Sequence, residues 1–118
     1  MRSGRELRDA KAAELAAGVV AYATGVALDD LMAPTRGGPE AAMARQAAMY
    51  LTHIAFEMSL GRVGAAFGRD RSTVAHACHL MEERRDDTGV DAWLDAMERV
   101  LKRAPPALSP PPALGLMR

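Results

Sequence analysis

A helical hydrophobic repeat recurs along nearly the whole chain, with no strand-like alternation beside it, and this limits the fold more than any other feature. Ala44, Ala47, Ala48, Leu51, Ile54, Ala55 and Met58 follow the three- and four-residue steps that gather side chains on one side of an α-helix. Upstream, a Pro-free stretch from 5 to 24 places Leu15, Val19, Tyr22 and Val26 at the same kind of spacing, predicting a first helix that ends near Gly25. Leu28, Leu31 and Met32, with Asp29 and Asp30, predict a short helical turn. The run Pro34-Thr35-Arg36-Gly37-Gly38-Pro39 then reads as an exposed loop, with Pro39 suited to the first turn of the next helix. Leu60, Val63, Gly64 and Phe67 line a short helix capped by Ser59 and ended by Gly68. Val74, Ala77, Cys78 and Met81 line another, which Asp70 or Ser72 can cap. After Thr88-Gly89, a last helix carries Val90, Trp93, Leu94, Met97 and Leu101. The expected architecture is an all-α helical bundle.

A chain of 118 residues, 49% hydrophobic and 25% charged, buries a core, so residues 1–103 read as one domain. From Ala104 on, five prolines in fifteen residues and no periodicity predict a disordered or polyproline-like tail, 104–118. Only 4% of residues are aromatic, too few to build the stacking platforms that hold single strands. Fifteen basic and fifteen acidic residues cancel, which excludes binding by bulk positive charge and confines any nucleic-acid site to a local patch. The single cysteine, Cys78, excludes an internal disulfide and multi-cysteine metal frameworks, which suits a reducing cytoplasm. No apolar run approaches a membrane span and no secretory signal opens the chain, so a membrane partner is not expected. Arg exceeds Lys by thirteen to two beside abundant Ala, a bias suggestive of a GC-rich bacterial genome.

The short helix 60–67, a glycine-containing turn and the helix from about 71 form a helix-turn-helix candidate. Leu60, Val63, Phe67, Val74 and Ala77 would join the two helices. Arg69, Arg71, Ser72, His76 and His79 would stand outside, able to donate to phosphates or base edges. Patterning alone favours an ordinary helical hairpin with a solvated polar face.

The residues themselves carry a closer likeness. Ala44-Arg45-Gln46-Ala47-Ala48-Met49-Tyr50-Leu51, then Ser59-Leu60, then Val63-Gly64-Ala65-Ala66-Phe67-Gly68-Arg69-Asp70-Arg71-Ser72-Thr73-Val74-Ala75-His76-Ala77 resemble the C-terminal DNA-binding domain of the bacterial replication initiator DnaA family. The resemblance covers about residues 18 to 88. It implies that the helix after the turn enters the major groove of double-stranded DNA, with Asp70, Arg71, Ser72, Thr73 and His76 meeting bases and nearby phosphates. It implies a minor-groove role for Arg36, and backbone contacts from Arg45, Gln46, Arg69 and His79.

Departures from the family pattern matter. Arg71 stands where the family has His, so the preferred site need not be the initiator's box. Gly61 replaces a common Pro, and His79-Leu80 replaces an Arg-Lys pair. One glycine fewer precedes Arg69, and the loop around Gly37, Gly38 and Glu40 is less basic, which predicts weaker phosphate binding. No Gly-x-x-x-x-Gly-Lys-Ser/Thr loop occurs, so neither ATP nor any other cofactor is expected. The chain is expected to read an address without the initiator's motor.

Enzymatic readings fare poorly. Asp70, Ser72 and His76 are neighbours on one helix start and cannot place nucleophile, base and orienter in line. His76, Cys78, His79, Glu82 and Glu83 share a helix, but Cys78 belongs to the inward stripe and the two His to the outer face, so no metal site is expected. Cys78 reads as a small buried hydrophobe, and the eight Met mainly as core, with Met43 and Met49 as candidates for a partner surface.

Charge is polarised along the chain. Glu82 to Glu98 holds seven acidic residues against two basic, whereas Arg36 to Met81 holds five basic against three acidic. An acidic last helix suits a face turned away from DNA. The acidic helix or the Pro-rich tail could engage RNA polymerase, another transcription factor or an architectural DNA-bending protein. Three functional expectations follow. The first is a cytoplasmic, nucleoid-associated, sequence-specific regulator of transcription, by analogy with the DnaA-like activators of gene transfer agent or phage-like clusters. The second is a modulator of replication initiation that competes for initiator boxes. The third is a protein-interaction adaptor with minor DNA contact.

Overall fold

The computed structural model describes residues 3–33 and 37–104. Among these, six α-helices and no strand are found: α1 (Gly4–Thr24), α2 (Leu28–Met32), α3 (Gly38–Ala55), α4 (Leu60–Phe67), α5 (Arg71–Arg84) and α6 (Thr88–Arg103). The tail 105–118 and Arg36 lie outside the described residues.

α1 opens on a capping box, in which Ser3 Oγ accepts from the Glu6 N–H and the Glu6 carboxylate accepts from the Ser3 N–H, and it ends at left-handed Gly25 as expected. Its buried stripe is Asp9, Ala13, Ala16, Ala17, Val20 and Ala21. The predicted face was therefore misplaced: Leu15 and Val19 only flank the core, and Tyr22 is 92% exposed. The reason is steric. α1 packs on α3, whose buried face is also rich in Ala, and small side chains on both helices let their backbones approach closely. A count of hydrophobicity favours Leu and Tyr over Ala, whereas close helix packing reverses that preference.

α3 is the central helix. Pro39 sits in its first turn, and the expected stripe of Ala44, Ala47, Ala48, Leu51 and Ala55 is buried. Burial extends further round, to Met49, Tyr50 and Thr52, because α1, α4, α5 and α6 all pack against it. Met49 is thus a core residue, not a partner surface, while Met43 stays 43% exposed. α6 starts two residues earlier than the punctuation at Thr88-Gly89 suggests. Asp87 accepts hydrogen bonds from the Gly89 and Val90 N–H groups, which draws both punctuating residues into the first helical turn. Leu94 and Leu101 seal the core from α6, with Trp93 and Met97 packed at its margin.

A half-buried ion pair ties the N-terminal helix to the front of the bundle. Arg62 of α4 donates through Nε and Nη2 to the two carboxylate oxygens of Asp9, at 2.9 and 2.6 Å. The hydrogen bond from Arg62, stronger than the opposing effect of burial, holds the Asp9 carboxyl below the usual carboxylate range. No described helix is long and apolar enough to cross a membrane.

Candidate nucleic-acid interface

α4, the turn 68–70 and α5 form a helix-turn-helix. Ser59 caps α4 by accepting from the Arg62 N–H, as its sequence position predicts. α4 terminates at Gly68, whose φ of 69° is a left-handed conformation that glycine adopts without steric cost. The Arg69 N–H donates to the Gly64 carbonyl at 2.8 Å, folding the turn back on the helix it leaves. Gly64 makes that approach fit, because a Cβ there would lie 2.6 Å from the Arg69 carbonyl oxygen. Val63, Phe67, Val74 and Ala77 are buried where α4 and α5 meet, with Leu60 at the margin, matching the expected contact.

The orientation of α5 follows from its sequence. Val74, Ala77 and Met81 are buried, so Asp70, Arg71, Ser72, Thr73, His76 and His79 are left exposed on the opposite face. Asp70 occupies the N-cap position without a side-chain capping bond, so its carboxylate is not used to hold the helix start. His79 lies 3.3 Å from Glu83 one turn on, which leaves its ring partly engaged with a carboxylate. Cys78 is half-buried, and burial followed by the Glu82 charge pushes its thiol up to about 11, as befits a packed, unreactive sulfur. Among the described residues no three metal-ligating side chains converge.

Two arginines meet beside α2. Arg69, half-buried, donates to the Ala33 carbonyl at 3.4 Å. Arg45 departs from the expected phosphate contact: it is 7% exposed, with Nε on the Leu31 carbonyl at 2.8 Å and Nη2 on the Asp30 carbonyl at 2.9 Å. Burial and then the nearby Arg69 charge lower its pKa. The last carbonyls of a five-residue helix are not all met within the helix, and a guanidinium fork bonds two of them. Arg45 therefore holds the C-terminal end of α2, and its neighbour Gln46 is half-buried on α3.

A second polar cluster, not legible in the sequence, lies at the other end of α5. Arg85 Nε donates to Tyr50 Oη at 2.9 Å, and its Nη1 donates to Asp91 at 2.7 Å and to Asp95 at 3.0 Å. Tyr50 Oη donates in turn to the Glu82 carboxylate. Burial, then the Glu82 bond, pushes the Tyr50 phenol up to about 12. Burial works against the Arg85 charge, but its bonds to Asp91, Tyr50 and Asp95 outweigh it and raise the pKa. The only hint in the sequence is an acidic run after residue 81, which reads equally well as solvated surface.

A short helix, a tight turn and a second helix with a bare polar N-terminal face define a DNA-binding helix-turn-helix domain. The family described as bacterial dnaA protein helix-turn-helix matches residues 14–80, more than half of the chain. This chain belongs to that family. It is 37% identical over 78 residues to the chromosomal replication initiator protein DnaA of Bifidobacterium animalis subsp. lactis, covering 64% of this chain and 13% of the relative. It is 34% identical over 86 residues to that of Thermodesulfovibrio yellowstonii, covering 71% and 19%. It is 43% identical over 61 residues to that of a Picosynechococcus species, covering 51% and 13%. The chain thus spans less than a fifth of the length of these relatives.

Proposed function

We propose that this chain binds double-stranded DNA at specific sequences and regulates transcription from them, as an activator of a gene transfer agent or phage-like cluster would. The observation that carries the reading is the outer face of α5: Asp70, Arg71, Ser72, Thr73 and His76 are all exposed while the opposite side is sealed into the core. These five residues meet the major groove. Arg69, Gln46 and His79 hold the backbone, and Arg36 enters the minor groove. Arg71, at a base-reading position where the family resemblance has His, supports a site distinct from the initiator's box, and so a role away from the origin. RNA polymerase, another transcription factor or an architectural DNA-bending protein would meet the acidic α6 or the tail.

A second reading has its own support. Identities of 34 to 43% to replication initiators fit a modulator that competes for initiator boxes. Genome-wide mapping of bound DNA separates the two. Peaks at promoters support regulation of transcription; peaks confined to the origin and its boxes replace it with the second reading. A chain that binds no duplex above background in vitro would favour a protein-interaction adaptor instead.

A further inference from the structure

Tyr50, Glu82, Arg85, Asp91 and Asp95 bring three helices together at one point, at the opposite end of α5 from the turn. Tyr50 comes from α3, Glu82 from α5, Arg85 from the C-cap of α5, and both aspartates from α6. The Arg85 guanidinium also lies 5.5 Å from the Tyr50 ring centroid, so the same group is held by a ring, a hydroxyl and two carboxylates. Tyr50 is 2% exposed and the Arg85 side chain 18%, so water reaches the hydroxyl and the guanidinium poorly, although the Asp91 and Asp95 side chains are 45% and 49% exposed. The other end of α5 is fixed separately, by the Arg69 to Gly64 hydrogen bond and the tight seat of the turn over Gly64. α5 is a rod pinned at both ends.

We propose that the cluster centred on Tyr50 and Arg85 is a positioning clamp that sets the tilt of α5 and thereby the base selectivity of its exposed face. The proposal rests on the reading that α5 meets the major groove. The apolar contacts of Val74, Ala77 and Met81 hold α5 to the core without fixing its direction sharply, because hydrophobic attraction is non-directional. The hydrogen bonds of the cluster are directional. With the clamp released, the rod pivots about the turn. At 1.5 Å of rise per residue, a tilt of about 10° moves the backbone at His76 by roughly 1.3 Å and at His79 by roughly 2 Å. A hydrogen bond to a base edge tolerates a spread of only about 0.5 Å in length. Base reading by His76 is lost at such a displacement, while Asp70 to Thr73 lie within about 3 Å of the pivot and move by no more than roughly 0.5 Å, and screened attraction to phosphates is hardly changed.

The test uses Tyr50→Phe, which removes one hydroxyl and keeps the ring, and Arg85→Gln, each measured below its melting temperature. Binding is compared between a duplex selected by the wild type from a random pool and a scrambled duplex. The preference for the selected duplex is expected to fall by roughly ten-fold in both variants, about one bidentate base contact, with scrambled-duplex affinity and salt dependence unchanged. Independently of DNA, spin labels at Tyr22→Cys on α1 and Glu83→Cys, exposed near the free end of the rod, in a Cys78→Ser background, report the tilt. Their distance distribution is expected to broaden on Tyr50→Phe. An unchanged preference in both variants, or an unbroadened distribution, overturns the proposal and leaves the cluster a purely structural one. A wild type with no preference among duplexes overturns it through the reading on which it rests, an outcome recognisable because the distribution still broadens.

Discussion

Arg71 and Arg45 show how differently two arginines of one domain can be used. Arg71 stands exposed at the start of α5, able to present two parallel donors to the N7 and O6 acceptors of a guanine. A histidine has neither that reach nor that fork. Arg71→His is therefore expected to shift base preference at one position of the site, by about 1–3 kcal/mol, and not to weaken all duplexes equally. Parallel selections from a random pool with both proteins check this, and identical preferences at every position would remove Arg71 from the specificity set. Arg45, by contrast, is committed to the Leu31 and Asp30 carbonyls. Its replacement by Ala should cost about 2 kcal/mol of stability, roughly 10 °C in Tm, while leaving the salt dependence of DNA binding unaltered. A salt slope reduced by one unit with an unchanged Tm would restore Arg45 to the phosphate contacts.

Between helices, the decisive contacts are those that bridge long stretches of sequence. The Asp9–Arg62 pair joins α1 to α4. Because Arg62 is 37% exposed, solvent screens the pair, and Asp9→Asn should cost only about 1 kcal/mol at neutral pH. The sign of its pH dependence follows from the lowered carboxyl. Its stabilisation is fully present above the unfolded-state pKa near 3.9 and is lost as pH falls through the lower folded-state value. The stability gap between wild type and Asp9→Asn should therefore be flat from about pH 5 to 8 and close below about pH 4, as urea titrations at stepped pH would show. A gap that persisted undiminished at about pH 2 would assign the loss to packing instead of charge. A contact of short range matters as much, the turn between α4 and α5. Gly64→Ala places a methyl against backbone, which cannot swing aside, so the turn must shift and sequence-specific binding should fall even where the helices still form. Retained specificity in a folded Gly64→Ala protein, read by circular dichroism and duplex titration together, would contradict that view of the turn.

Taken whole, the molecule combines zero net charge with a polarised distribution. Arg85 spends itself on Asp91 and Asp95, and Arg62 on Asp9, so much of the charge is consumed internally. Arg36, Arg69 and Arg71 are the cations proposed to meet phosphates or bases. With about three such contacts, the logarithm of duplex affinity should fall against the logarithm of salt with a slope of about −3. A slope near zero in titrations between low and physiological salt would instead favour the adaptor reading. The chain also lacks a phosphate-binding loop, so ATP or ADP with magnesium should alter neither its Tm nor its DNA affinity. Saturable nucleotide binding in the micromolar range would refute that expectation.

The all-α class, the positions of α3 to α6 and the exposed residues at the start of α5 are legible in the sequence, because each depends on local chemistry. Caps at Ser59 and Gly68 and the three- and four-residue apolar steps act within one helix, and one helix is what a linear pattern encodes. Tertiary structure decided which face of α1 is buried, since that depends on the small side chains of α3 opposite it. It also decided that Met49 is core, that Arg45 holds α2, and that Tyr50 and Arg85 tie α3, α5 and α6 together. Each of these outcomes depends on groups 14 to 35 residues apart or on a neighbouring helix's shape. No periodicity carries that information, because a charged or aromatic side chain acquires its partner only when the helices pack.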